Sequence, residues 1–133
     1  MRYLLNTNAI IFALKDDQGR SALRIGRASH DEVIVCAVVE AELYYGATKY
    51  GCPTRRESVL AAFLQPFQTL PFDSACVPQY ARIRDHLERQ GQIIGGNDLM
   101  IASIALTHDL IVVTSNCEEF KRVPGLRVED WTV

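Results

Sequence analysis

No apolar run in this chain approaches the roughly 20 residues that a helix needs to cross a bilayer. The start does not read as a secretion signal either, because Asn6, Thr7 and Asn8 interrupt the apolar stretch that such a signal requires. A cytoplasmic protein with no membrane partner is therefore expected. Charge of one sign is also missing: the net charge is −2 and the pI about 5.9, so no global basic field draws nucleic acid. Cysteine is sparse. Cys36, Cys52, Cys76 and Cys117 lie far apart, with no C-x-x-C pair and no histidine at zinc spacing, which argues against disulfides and a structural zinc site. No glycine-rich loop follows the first expected strand, so the phosphate cradle of nucleotide-binding α/β domains is absent, and no repeat, linker or low-complexity segment occurs. What is present is a globular composition, 48% apolar and 23% charged over 133 residues, enough for one domain spanning residues 1–133.

The organising stretch is Tyr3-Leu4-Leu5-Asn6-Thr7-Asn8. A short apolar run ends in three small polar residues and a second run, Ala9 to Leu14, follows at once. That pattern predicts a buried strand emptying into a helix, with Thr7 or Asn8 as N-cap. Further strands are expected at 33–37, 67–72 (short and near an edge, between two prolines), 110–113 and 126–128. Helices are expected at 20–29, 38–50, 53–63 and 73–90, and from an Asn97 cap to about His108. The last of these is apolar nearly all round and should be central. The fold class is α/β, a mostly parallel sheet of about four to five strands flanked by helices. The three histidines read as solvated helix ends. The arginine stripes Arg20, Arg24, Arg27 and Arg82, Arg89 read first as wet helix faces, with phosphate contact as the minority reading.

Two strand tips match, Asn6-Thr7-Asn8 and Thr114-Ser115-Asn116. If their strands are neighbours, both tips open on one edge, where α/β sheets carry their chemistry. Two acids are placed to point there: Asp98, after the Gly95-Gly96 turn, and an acid of the 38–50 helix. A carboxylate in an otherwise apolar helix is costly unless paired or metal-bound, and gathered hard oxygens suit Mg²⁺ or Mn²⁺. Periodicity alone does not choose between Glu40 and Glu42.

The segments Leu4-Leu5-Asn6-Thr7-Asn8, Ala41-Glu42-Leu43-x-x-Gly46, Gly95-x-Asn97-Asp98-x-x-Ile101-Ala102 and Thr114-x-Asn116-x-x-x-Phe120 resemble, in order and spacing, the four signature blocks of PIN-domain nucleases. The length and the ending Arg122 to Trp131 resemble the VapC toxins of bacterial toxin–antitoxin pairs. The resemblance implies a PIN-like fold and a Mg²⁺- or Mn²⁺-dependent endoribonuclease acting on RNA, favouring tRNA near the anticodon. It implies a metal held by the positions of Asn6, Glu42 and Asp98. Asn116 matches a fourth site position, and Thr7 and Thr114 match hydroxyl residues that brace the cluster. It also implies a homodimer, a VapB-type antitoxin docking beside the active site, and contact with DNA only indirectly, through that antitoxin.

The chain departs from the family at its first acid, where Asn6 stands in place of aspartate. This reads as an inactivated form. The alternative is a non-catalytic RNA- or partner-binding module on a dead PIN fold. The run Ile10, Ile11, Phe12, Leu14, with Tyr44 and Tyr45 near Glu42, reads as a groove for an amphipathic antitoxin segment.

Overall fold

One parallel sheet carries the fold, and its strand order explains where a site can form. A computed structural model describes all of residues 1–133. Its strands are β1 (Tyr3–Leu5), β2 (Val33–Cys36), β3 (Gln68–Leu70), β4 (Ile111–Val113) and β5 (Val128–Glu129), arranged β3-β2-β1-β4-β5 with every neighbouring pair parallel. The chain first builds outward from β1 through β2 to β3, then returns to add β4 and β5 on the other side. The order therefore reverses between β1 and β4. In open α/β sheets the crevice beyond the carboxyl ends of two such strands receives ligands, because the flanking connections diverge there. β1 and β4 pair as Tyr3 with Ile111, Leu4 with Val112 and Leu5 with Val113, so the two polar tips emerge side by side.

The helices are α1 (Thr7–Lys15), α2 (Arg20–Arg27), α3 (Ala37–Lys49), α4 (Pro53–Leu64), α5 (Val77–Arg89), α6 (Gly96–Thr107) and α7 (Cys117–Lys121). α6 is central as expected: Ile101, Ala102, Ile104 and Ala105 are fully buried, and its one buried hydroxyl, Ser103, donates to the Leu99 carbonyl at 2.7 Å. No helix is long and apolar enough to cross a membrane. All four cysteines are free. Burial pushes the Cys36 thiol up to about 11, with the charges of Glu42 and Glu40 adding to it against the Val39 and Val38 N–H groups, so that thiol is packing rather than chemistry.

Several boundaries differ from expectation. The first helix is capped by Asn6 rather than by Thr7 or Asn8: the Asn6 N–H is held by the Val113 carbonyl and its backbone stays extended. α6 starts at Gly96 with Gly95 as its cap, not Asn97, because the Gly95 carbonyl takes the Leu99 N–H. The segment from Asp73 opens with a 3₁₀ turn, Ser74–Cys76, since Pro78 offers no N–H to continue an α ladder back to Ser74. The last strand begins at Val128, after a turn through Gly125 at φ +78°. In the first helix Ile10 is fully buried and Leu14 packs on the core, so the expected groove loses both. Ile11 (37% exposed), Phe12 (48%) and Tyr45 (65%) stay at the surface, and Tyr44 packs partly inward.

Candidate active site

Thr114 is the hub of the crevice. It is buried at the end of β4, and the N–H that follows the strand bonds the Glu129 carbonyl of β5. Its hydroxyl accepts from Asn6 Nδ2 at 3.1 Å and from the Asn116 N–H at 3.0 Å, and donates to Asn8 Oδ1 at 3.2 Å. Asn8 Oδ1 also accepts the Ser115 N–H at 3.1 Å. Three hydrogen bonds on one hydroxyl satisfy it fully, so the two polar tips are tied into one rigid edge. Asn6 is only 5% exposed, and its Oδ1 has no partner. A buried acceptor left unmatched costs about 1–3 kcal/mol, which marks this oxygen as one placed for something other than the fold.

Thr7, in the first turn of α1, donates its hydroxyl to Glu42 Oε1 at 2.7 Å. The contact fixes which acid of α3 serves the crevice: Glu42 lines the hollow, and Glu40 does not. That hollow, about 440 Å³, is bounded by Glu42, Gly95, Gly96, Asn97 and Asp98, with no apolar side chain on its wall. Asp98, in the first turn of α6, is half-buried.

A third acid completes the group, and sequence reasoning missed it. Glu119 of α7 accepts the Gly95 N–H on Oε1 at 2.7 Å and Asn116 Nδ2 on Oε2 at 2.8 Å. Asn116, expected as a site position in its own right, thus serves here as a brace for Glu119. The signal was present as an acid three residues after Asn116 and just before Phe120. It was overlooked because α7 has only five residues and no periodicity to announce it.

Burial raises Asp98 to about 7, reinforced by the charge of Glu119, a hydrogen bond between the two acids and the charge of Glu42. For Glu119, burial also works upward, yet the Gly95 N–H, the Asn116 amide, the Asp98 carboxyl and nearby Arg122 together hold it below the usual range. Below about 7 the raised Asp98 carboxyl therefore holds a proton, while Glu119 is held ionised to lower pH than usual. A consequence in pH follows. Between the ordinary carboxylate range and about 7, folded Asp98 holds a proton that the unfolded chain has released. Its contribution to stability is full below that window and is lost as pH rises through about 7. Glu119 shifts the other way and acts at lower pH. In metal-free solution the thermal midpoint is expected to fall from pH 5 to pH 8, and Asp98→Asn to flatten that slope; an equally steep slope in the variant would place the proton elsewhere.

The stripe Arg20, Arg24, Arg27 is in part structural. Arg24 pairs with Glu129 at 3.2 Å and lies 4.6 Å above the Trp131 ring, whose indole N–H also binds Glu129. Arg89 is taken by Asp85 at 3.0 Å.

Residues 3–126 match the PIN domain family. The chain is 36% identical to Ribonuclease VapC2 of Rickettsia felis over 133 residues, covering 98% of each protein. It is equally 36% identical to the tRNA(fMet)-specific endonuclease VapC of Shigella flexneri, covering 99% of each. Among solved structures, DNA-bound VapBC from Salmonella typhimurium superimposes with a TM-score of 0.91 at 34% identity, over 98% of both chains.

Proposed function

The chain belongs to the PIN-domain family, and from that premise we propose that it is the toxin of a type II toxin–antitoxin pair, a divalent-metal-dependent endoribonuclease that cuts tRNA. The observation that carries the reading is the convergence of Glu42, Asp98 and Glu119 with the unpartnered Asn6 Oδ1 at the β1–β4 switch point.

The donor set fits Mg²⁺ or Mn²⁺. It consists of hard oxygens, carries net negative charge, and includes a buried acceptor with nothing to accept. No three acidic, histidine or cysteine side chains close into a ready-made cage. Mg²⁺ does not ask for one, since it keeps several waters and takes one or two carboxylates. Glu42, Asp98 and Glu119 are the residues that would hold the ion, one or two directly and the rest through its waters, with Asn6 offering a carbonyl oxygen. When bound, such an ion supplies an acidified water for attack on the phosphodiester and offsets charge developing on phosphorus. The chain's own part is positional. Thr7 orients Glu42, Asn116 and Gly95 orient Glu119, and the Thr114 hub fixes Asn6 at the strand tip. Gly96 leaves open space where a side chain would narrow the approach.

Asn6 in place of aspartate leaves this machinery one charge short, and the chain as it stands is a nearly inert form. That same residue is the one observation favouring a non-catalytic RNA- or partner-binding module. The test is cleavage of tRNA(fMet) by the Asn6→Asp protein: it is expected in Mg²⁺ or Mn²⁺, to stop on chelation, and to stop again when a VapB-type antitoxin is added. The protein is read as cytoplasmic and homodimeric, and as reaching DNA only through its antitoxin.

The antitoxin is expected on the exposed Ile11, Phe12 and Tyr45, where α1 packs against α3, with an arginine reaching into the acidic hollow. Phe12→Ser and Tyr45→Ser should each weaken antitoxin binding about tenfold or more in calorimetry, the scale of interface anchor residues. Because both side chains are exposed, the thermal midpoint should hardly move. Unchanged affinity with a collapsed midpoint would assign them to the core instead.

A further inference from the structure

Beside the acidic hollow lies a second, of about 240 Å³, that the cluster of acids does not use. The two share Gly96 as a common wall. We propose that this second hollow is a nucleotide subsite, taking the base and phosphate of the nucleotide next to the scissile bond; the proposal rests on the ribonuclease reading above.

Its lining has two characters. Leu87 and the Tyr80 ring give it an apolar wall, and Ile93 stands at its rim, 67% exposed. Tyr80 is held in orientation by the edge of Phe72, with ring centroids 5.7 Å apart. Ile93 is not exposed through looseness. Its carbonyl is gripped by Arg122 Nη1 at 3.1 Å, and Gly95 two residues on is gripped by Glu119 at 2.7 Å. The loop that separates the hollows is thus fastened at two points, to Glu119 of α7 and to Arg122 just after it, which fixes the distance from one hollow to the other. A fixed apolar wall with an aromatic ring is the kind of surface on which a nucleobase stacks, whatever its identity.

The second character is cationic. Arg84 donates from Nη1 to the Tyr80 hydroxyl at 3.1 Å and pairs with Glu88 at 3.3 Å. That pair is an exposed i,i+4 contact, a class contributing only a few tenths of a kcal/mol, so the guanidinium can exchange Glu88 for phosphate at little cost. Arginine also presents the fork that matches phosphate. The need for such a cation is local: the chain has a net charge of −2, and the cleavage site is itself a cluster of acids that repels the backbone of its substrate. Size agrees. The hollow is smaller than the roughly 300–1,000 Å³ of sites that enclose a whole small ligand, as suits one that takes a single unit of a longer one.

The inert chain, with Asn6 in place, allows the test without cleavage. Fluorescein-labelled tRNA(fMet) is titrated in Mg²⁺ at several salt concentrations and followed by anisotropy. Arg84→Met is expected to weaken binding about tenfold and to reduce the slope of log K against log salt by about 0.7–0.9, the loss of one phosphate contact. Arg84→Lys should recover the slope. Ile93→Ser should weaken binding by a similar factor with the slope unchanged, as loss of stacking surface does. Both positions are exposed, so the thermal midpoint and the sedimenting mass should stay the same. Unchanged affinity and slope in both variants, while the unaltered chain binds tRNA(fMet), would overturn the subsite and leave the nuclease reading standing. Weakened binding together with a fall in mass would assign the hollow to contact between copies, and would overturn it equally. If the unaltered chain does not bind tRNA(fMet) and its Asn6→Asp form does not cut it, the nuclease reading itself falls, and the subsite with it.

Discussion

Replacing Asn6 with aspartate is expected to raise RNA cleavage by about a thousandfold in Mg²⁺ or Mn²⁺. One unit charge about 4 Å from another, at an effective dielectric near 20, interacts by about 4 kcal/mol, and each 1.36 kcal/mol is a factor of ten in rate. Asn6 sits at the strand tip with its Oδ1 buried and unpartnered, next in the chain to Thr7, which binds Glu42. The exchange keeps the shape of the side chain but alters the hub. Nδ2 no longer donates to Thr114, whose hydroxyl has then to choose between the new carboxylate and Asn8. Without metal the reverted protein should be less stable than the parent, because a further carboxylate joins a half-buried cluster that already holds Asp98 near 7. Adding Mg²⁺ should return that loss and more, since an ion that binds only the folded state stabilises it by mass action. Parallel melting curves with and without Mg²⁺ check this apart from catalysis. Intact tRNA after incubation of the antitoxin-free, reverted protein with either metal would sink the nuclease reading.

In that reverted background, Glu42→Gln or Asp98→Asn should reduce cleavage to the level of the Asn6 chain or below, again about a thousandfold. The folded state should not suffer. Both acids are carried in a cluster whose members repel one another when no cation is present, so neutralising one leaves the metal-free midpoint unchanged or raises it. Glu119→Gln should also abolish cleavage but with a lower midpoint, because Glu119 holds both Gly95 and Asn116 at hydrogen-bond distance. Glu40→Gln should be nearly silent, having no part in the hollow. Loss of activity in Glu40→Gln with Glu42→Gln still active would mean that α3 presents its other face to the substrate. The contrast between Asp98→Asn and Glu119→Gln in melting, with both inactive, separates an acid that only serves the site from one that also builds it.

The parts of this molecule that were legible in the sequence are those where a local pattern and the tertiary context agree. Val33 to Cys36 is an uninterrupted apolar strand, β-branched in its first three residues, because both its faces are covered, and the burial of all four residues follows. The matching tips after Leu5 and Val113 announced two strands ending at one edge, and the pairing of β1 with β4 puts them there. The apolar α6 had to be central because nothing else could cover it. What could not be read were features set by distant partners. Asn6 rather than Thr7 caps α1 because a carbonyl 107 residues later claims its N–H. α7 is too short to be stable by propensity, and it exists because Phe120 is fully buried and Glu119 is bonded on both oxygens. The choice between Glu40 and Glu42 needed the Thr7 hydroxyl, 35 residues away. Ile10 and Ile11 are neighbours of like hydrophobicity, and only packing decides that one is core and the other surface.

The strand order also governs when the acidic site is completed during the chain's own synthesis. The first strand is the central one, but one of its neighbours, β4, leaves the ribosome more than 100 residues after it, and the bond from Asn6 to Thr114 spans 108 positions. Glu119, which orders the Gly95 turn, comes later still. A nascent chain therefore holds every earlier acid without a working arrangement of them until its last few residues emerge. Chains elongate at about 5–20 residues per second and parallel pairings between remote strands close slowly, so this interval lasts seconds. During it α1 and α3 are already made and their exposed Phe12 and Tyr45 are within reach of a partner. A partner that captures these two helices during translation would arrive before the acidic site is complete.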